Sequence, residues 1–167
     1  MKKALIGAAL LASMMMSTAQ AETSKLYYGV GLADGTVDIN GNEDQNMGTL
    51  TGTAGLELWN LIGVEGALGL ASDDVDSLLS EPQVSYAAAM LRVGFRVGRF
   101  GIYALGGQAF LDSASTLNFN TSGMAYGMGI NLFGNGTTAL NFHYLNLDDG
   151  AFSTASIGFQ HYFGGYR

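Results

Sequence analysis

Apolar residues alternate with small or polar ones, with a period of two, through eight successive runs of this chain. No other feature constrains the fold as much. The last run shows it plainly: Ala155, Ile157, Phe159, His161 and Phe163 fall on one face, and Ser156, Gly158, Gln160 and Tyr162 on the other. A strand with one apolar and one polar side suits a wall between lipid and a narrow, wet interior. If the wall closes, the last strand pairs with the first and leaves no open edge.

The other runs supply the neighbours. The expected strands are 26–33, 49–58, 62–71, 84–97, 102–111, 121–133 and 137–145, followed by 153–163. Leu26, Tyr28, Val30 and Leu32 oppose Tyr27, Gly29, Gly31 and Ala33 in the first. In the fourth, Leu91, Val93 and Phe95 oppose Met90, Arg92 and Arg96. In the fifth, Tyr103, Leu105, Ala109 and Leu111 are set toward lipid, and Ala104, Gly106, Gln108 and Phe110 toward the interior. Short connections (59–61, 98–101 and 134–136) alternate with longer ones (34–48, 72–83, 112–120 and 146–151). Gly134-Asn135-Gly136 is a hairpin signal because Gly and Asn tolerate positive φ. Short turns on one rim and longer loops on the other, joined by strands of about ten residues, are the pattern of an outer-membrane barrel. The expectation is all-β: an eight-stranded antiparallel up-and-down transmembrane β-barrel.

The chain opens on Met1-Lys2-Lys3, an apolar run and Ala19-Gln20-Ala21, so residues 1–21 read as a cleavable signal peptide and 22–167 as one barrel domain. Beyond Ala21 there are five basic residues against fourteen acids, which argues against nucleic acid as a partner. There is no cysteine, which excludes a disulfide framework and thiolate metal sites. Twenty-five glycines beside one proline fit tight barrel walls better than disorder.

Three segments, Tyr28-Gly-Val-Gly-Leu32, Phe142-His-Tyr-Leu-Asn-Leu-Asp148 and Ser156-Ile-Gly-Phe-Gln-His-Tyr-Phe163, resemble the small eight-stranded outer-membrane barrels of the opacity-protein, Ail and OmpX type. The resemblance runs from Leu26 to Phe163. It implies an outer-membrane location, insertion by the barrel-assembly machinery, contact with membrane lipid and lipopolysaccharide, and a structural or surface-interaction role. The family ends on an aromatic residue that the assembly machinery reads, whereas here Gly164-Gly165-Tyr166-Arg167 follows Phe163. A monomer with no cofactor is expected.

Inward charges come first among residues able to carry chemistry. Glu57, Glu65, Arg92 and Arg96 are expected to pair across the lumen, because an unpaired charge there is costly. Gln108, Asn131, Asn141, His143 and Gln160 are expected to extend the network. It reads either as a polar plug or as a gate, and an eight-stranded lumen, only wide enough for side chains, favours the plug. Trp59, Phe100, Tyr103, Phe133 and Phe163 flank the short turns as a periplasmic aromatic girdle. Eleven acids sit in or beside the longer loops: Asp34, Asp38, Glu43, Asp44, Asp73, Asp74, Asp76, Glu81, Asp112, Asp148 and Asp149. None has the spacing of a Ca²⁺ loop, and no metal site is expected.

Two other classes stay open. A lipid A-modifying enzyme needs His, Ser and an acid together near the outer rim. His143 with Ser153 and Asp148 or Asp149 is the candidate set, although His143 points inward and Tyr144-Leu145-Asn146 follows it. A soluble periplasmic barrel carrying a small apolar ligand would reverse the faces.

Overall fold

The computed structural model describes residues 24–37, 45–73, 82–113 and 120–163. It is a closed antiparallel barrel with the strands in sequence order: β1 (Ser24–Val37), β2 (Gln45–Leu58), β3 (Ile62–Ser72), β4 (Val84–Val97), β5 (Phe100–Ser113), β6 (Asn120–Phe133), β7 (Thr138–Leu147) and β8 (Phe152–Tyr162). Closure runs from Tyr27↔Tyr162 to Val37↔Phe152, so the last strand does pair with the first.

Turn chemistry explains the short rim. Trp59 and Asn60 hold φ of 54° and 56°, the mirror-image hairpin turn that matches strand twist, and Leu61 N–H donates to Leu58 O at 3.1 Å. Between β6 and β7 the Asn135 side-chain oxygen accepts from the backbone N–H of Thr137 and Thr138. The first hairpin is longer than its composition indicates. Asp34–Val37 pairs with Gln45–Gly48, and the fully buried Val37 and Met47 draw this polar, Gly-containing stretch into the wall. Asp38, Glu43 and Asp44, like Asp74, Asp76 and Glu81, lie outside the described residues.

The outer surface carries the apolar face, with Val30, Leu91, Val97, Met128 and Phe159 all more than half exposed, while Glu57, Glu65 and Arg92 are buried inside. That is the sidedness of a membrane wall. It overturns the reversed faces of a soluble ligand carrier.

On β5 the phase is opposite to the sequence expectation. Tyr103, Leu105, Ala109 and Leu111 are buried in the lumen, and Ile102, Ala104, Gln108 and Phe110 face out. The interior at that level is apolar, so Gln108 does not belong to the lumen network. Leu105, Ala109 and Leu111 fill the space instead, against Val84, Tyr86 and Leu145.

The phase is testable by exchanging polarity. Leu105→Gln is expected to lower unfolding free energy in lipid vesicles by about 2–5 kcal/mol, through a lost apolar side chain and a buried amide. Gln108→Leu is expected to be neutral or to stabilise by about 0.5–2 kcal/mol. Urea-unfolding midpoints in the reverse order would restore the original phase.

Candidate functional site

The lumen has two storeys. Toward the loop rim it is an apolar core, where Val37, Met47, Val84, Leu111, Leu147 and Phe152 are at most 1% exposed. Toward the turn rim it is a hydrogen-bonded cluster centred on Arg92.

Arg92 projects inward from β4 and meets acids from the two preceding strands. Its Nη1 donates to Glu65 Oε2 at 2.9 Å, and its Nε lies 3.8 Å from Glu57 Oε2. Its guanidinium lies 3.6 Å from the Tyr103 ring centroid and 4.9 Å from that of Tyr27. Tyr27 donates its hydroxyl to Glu65 Oε2 at 2.5 Å. Arg92 Nη2 donates to the Tyr162 hydroxyl at 3.3 Å. Every side of the cation therefore meets a carboxylate, a hydroxyl or a π face, as a buried charge requires.

An amide chain continues from there. Asn131 Nδ2 donates to the Tyr162 hydroxyl at 2.7 Å and to Gln160 Oε1 at 3.1 Å. Asn141 Nδ2 donates to Asn131 Oδ1 and to the Tyr103 hydroxyl, both at 2.7 Å. His143 is buried above this chain, its ring 6.1 Å from that of Tyr103.

The structure thus brings Glu57, Glu65, Arg92, Asn131, Asn141 and Gln160 into one region, with His143 at its edge. Arg96 lies at the turn mouth of the same small cavity as Glu57, Arg92 and Asn131, where its Nε donates to Gly98 O at 2.8 Å and its guanidinium lies over the Phe133 ring at 3.7 Å. Two residues expected in the girdle are corrected. Tyr103 and Phe133 are 3% and 5% exposed and point into the lumen, Tyr103 to cover Arg92 and Phe133 to pack on Tyr162. Trp59, Phe100 and Phe163 stand outside at the turn rim.

Tyr27, Tyr103 and Tyr162 were missing from the expected network. A signal for the first two lies in the cross-strand pairs: Tyr27 faces Gly55 and Tyr103 faces Gly129. A Cβ on either glycine would collide with the facing ring, so each ring can lie flat against the wall only over glycine.

At the loop rim Asp148 and Asp149 form a single 3₁₀ turn with Gly150, each aspartate at φ of 54°. Asp148 Oδ2 accepts from Thr121 Oγ1 at 2.6 Å, and Ser153 Oγ accepts from Asn146 at 3.1 Å. Neither is hydrogen-bonded to His143, so the candidate triad does not assemble. Among the described residues no group of three or more His, Asp or Glu gathers as a metal site.

The family described as outer membrane protein beta-barrel domain matches residues 6–163 of this chain. The chain belongs to that family. The outer-membrane barrel also has solved structural relatives. The attachment invasion locus protein Ail of Yersinia pestis, in complex with the heparin analogue sucrose octasulfate, superposes with a TM-score of 0.57 at 20% identity, over 84% of this chain and 99% of that one. The N-terminal barrel domain of Pseudomonas aeruginosa OprF gives 0.55 at 13% identity, over 86% and 100%. A structure titled as de novo design of transmembrane beta-barrels gives 0.59 at 14% identity, over 86% and 98%. None of the curated proteins matches the sequence. The barrel is an outer-membrane protein.

Arg92→Met is expected to cost about 3–5 kcal/mol, because it strands the carboxylate of Glu65 in the lumen. Adding Glu65→Gln should return a large part of that loss. Denaturant unfolding from vesicles measures both, and a double variant as unstable as the sum of the singles would show that the pair is not coupled.

Proposed function

We propose that the barrel is a non-enzymatic surface-interaction protein, adhesion-like in type, whose working part is its acidic loop rim. One observation carries this reading: charge is segregated along the barrel axis. The described loop acids, Asp34, Asp73, Asp112, Asp148 and Asp149, lie at one rim, and the sequence puts no Lys or Arg in any of the four longer connections, which hold six further acids. Lys25, Arg92, Arg96 and Arg99 belong to the other half, where the only described acids are Glu57 and Glu65, both paired with Arg92. In barrels of this kind the longer loops face the outside.

The lumen supports the same conclusion. The apolar core closes the loop half and the Arg92 cluster fills the turn half, so neither an open solute channel nor an ion gate fits. The barrel stands as a monomer in lipid and lipopolysaccharide after insertion by the assembly machinery, with Trp59, Phe100 and Phe163 as its periplasmic girdle and without cofactor or metal. The wall then acts as a rigid mount for loops.

Charge also narrows the partner. Ail was solved with a polysulfated heparin analogue. An acidic rim repels such a polyanion, so the complementary partner here is a basic protein surface.

Cells displaying the barrel should adhere to a surface coated with a basic protein, and adhesion should fall as salt rises. Replacing Asp34, Asp73, Asp112, Asp148 and Asp149 by Asn should weaken adhesion several-fold. Unchanged adhesion would sink the charge reading. His143→Ala should leave the lipid A acylation pattern unaltered; a changed pattern would return the enzyme.

A further inference from the structure

Two buried nitrogens inside the barrel, Gln160 Nε2 and His143 Nε2, have no hydrogen-bond partner among the described residues. Gln160 is 1% exposed and His143 7%. Both line one small chamber, whose polar wall is completed by Thr51, Thr53, Asn141 and Ser156. These residues come from β2, β7 and β8, and Gly29–Gly31 of β1 also line the chamber, so it lies against the β1–β8 seam where the barrel closes. The space open to a water centre is about 10 Å³. That is close to the minimum for one water molecule.

The amide orientation sets what the chamber accepts. Gln160 Oε1 takes hydrogen bonds from Asn131 Nδ2 at 3.1 Å and from the Tyr162 hydroxyl at 3.0 Å, which leaves the NH₂ end of this chamber-lining side chain as the group in need of a partner. Thr51 donates its hydroxyl to Gly31 O at 3.1 Å, and Ser156 donates its own to His143 O at 3.2 Å. Their oxygens therefore offer lone pairs. An occupant must accept from an amide, meet an imidazole nitrogen and donate to a hydroxyl oxygen. A metal cation fails the first requirement and a halide fails the last. Water meets all three.

We infer that this chamber is a hydration site holding one water molecule that bridges Gln160 Nε2 to His143 Nε2. The bridge satisfies two groups that would otherwise be buried unpaired. It also joins His143 to the Arg92 cluster, so that one hydrogen-bonded chain runs Glu65–Arg92–Tyr162–Gln160–water–His143. The imidazole then belongs to the folded wall's internal network. This inference stands apart from the surface role, and its failure would leave that role untouched.

Two measurements on the full barrel in nanodiscs test it. Water–protein cross-relaxation by NMR should show a long-lived water next to the Gln160 side-chain amide and the His143 ring; a dry chamber, with no cross-peak at either, overturns the inference. The second is a cycle of Gln160→Leu, His143→Phe and the double variant, read as the temperature at which gel mobility shifts on heating. A shared water makes the two losses overlap, so the double variant should melt no lower than the weaker single. Shifts that add in full overturn the bridge. Where a variant fails to insert, the wild-type NMR measurement still decides.

Discussion

In hydrocarbon no water is present to satisfy a backbone N–H or C=O, and each one left unpaired costs several kcal/mol. That constraint governs the molecule. It is met only when β8 returns to β1, in the register Tyr27↔Tyr162 through Val37↔Phe152. Other features follow from closing so small a ring. The wall must use tight turns at one rim, hence the left-handed Trp59-Asn60 pair. The lumen becomes too narrow for bulk water, so it must be filled by side chains that satisfy one another.

The two storeys of the lumen fill that space differently. Near the loop rim, packing of Met47, Leu111, Leu147 and Phe152 dominates, and a buried hydroxyl such as that of Thr49 is satisfied locally, donating to Met47 O. Near the turn rim, the barrel buries Arg92 with two acids, and the cost of desolvating those charges is offset only by dense hydrogen bonding. The tyrosines make that possible. Tyr27 donates to Glu65, Tyr162 accepts from Arg92, and Tyr103 lies flat under the guanidinium. Glycine on the neighbouring strand is the structural condition for the rings of Tyr27 and Tyr103. The cluster is thus written on two strands at a time, one carrying the ring and the other making room for it.

This explains what could be read in the chain and what could not. Period-two patterning and turn residues report local geometry, so strand number, antiparallel order and the sidedness of seven strands were legible. The phase of β5 was not. A lone Gln108 among small residues looks inward only if the interior is polar at every level, and the apolar storey at that height breaks the assumption. The outward Gln108 and inward Tyr103 are set by packing between strands, which no single run records. The first hairpin was underestimated for a related reason: Asp34-Gly35-Thr36 looks like loop until Val37 and Met47 are seen to be buried. Pairing of Glu57 and Glu65 with Arg92 was foreseeable from charge on consecutive strands. The place of Arg96 at the turn mouth follows from its position just before the turn at Gly98.

The likeness to a designed transmembrane barrel shows the fold alone. A fold carries no activity by itself. What the fold alone does not require is the distribution of charge. Nothing in strand pairing or lumen packing needs eleven acids in or beside the four longer connections and no Lys or Arg among them. The proposed surface role rests on that distribution.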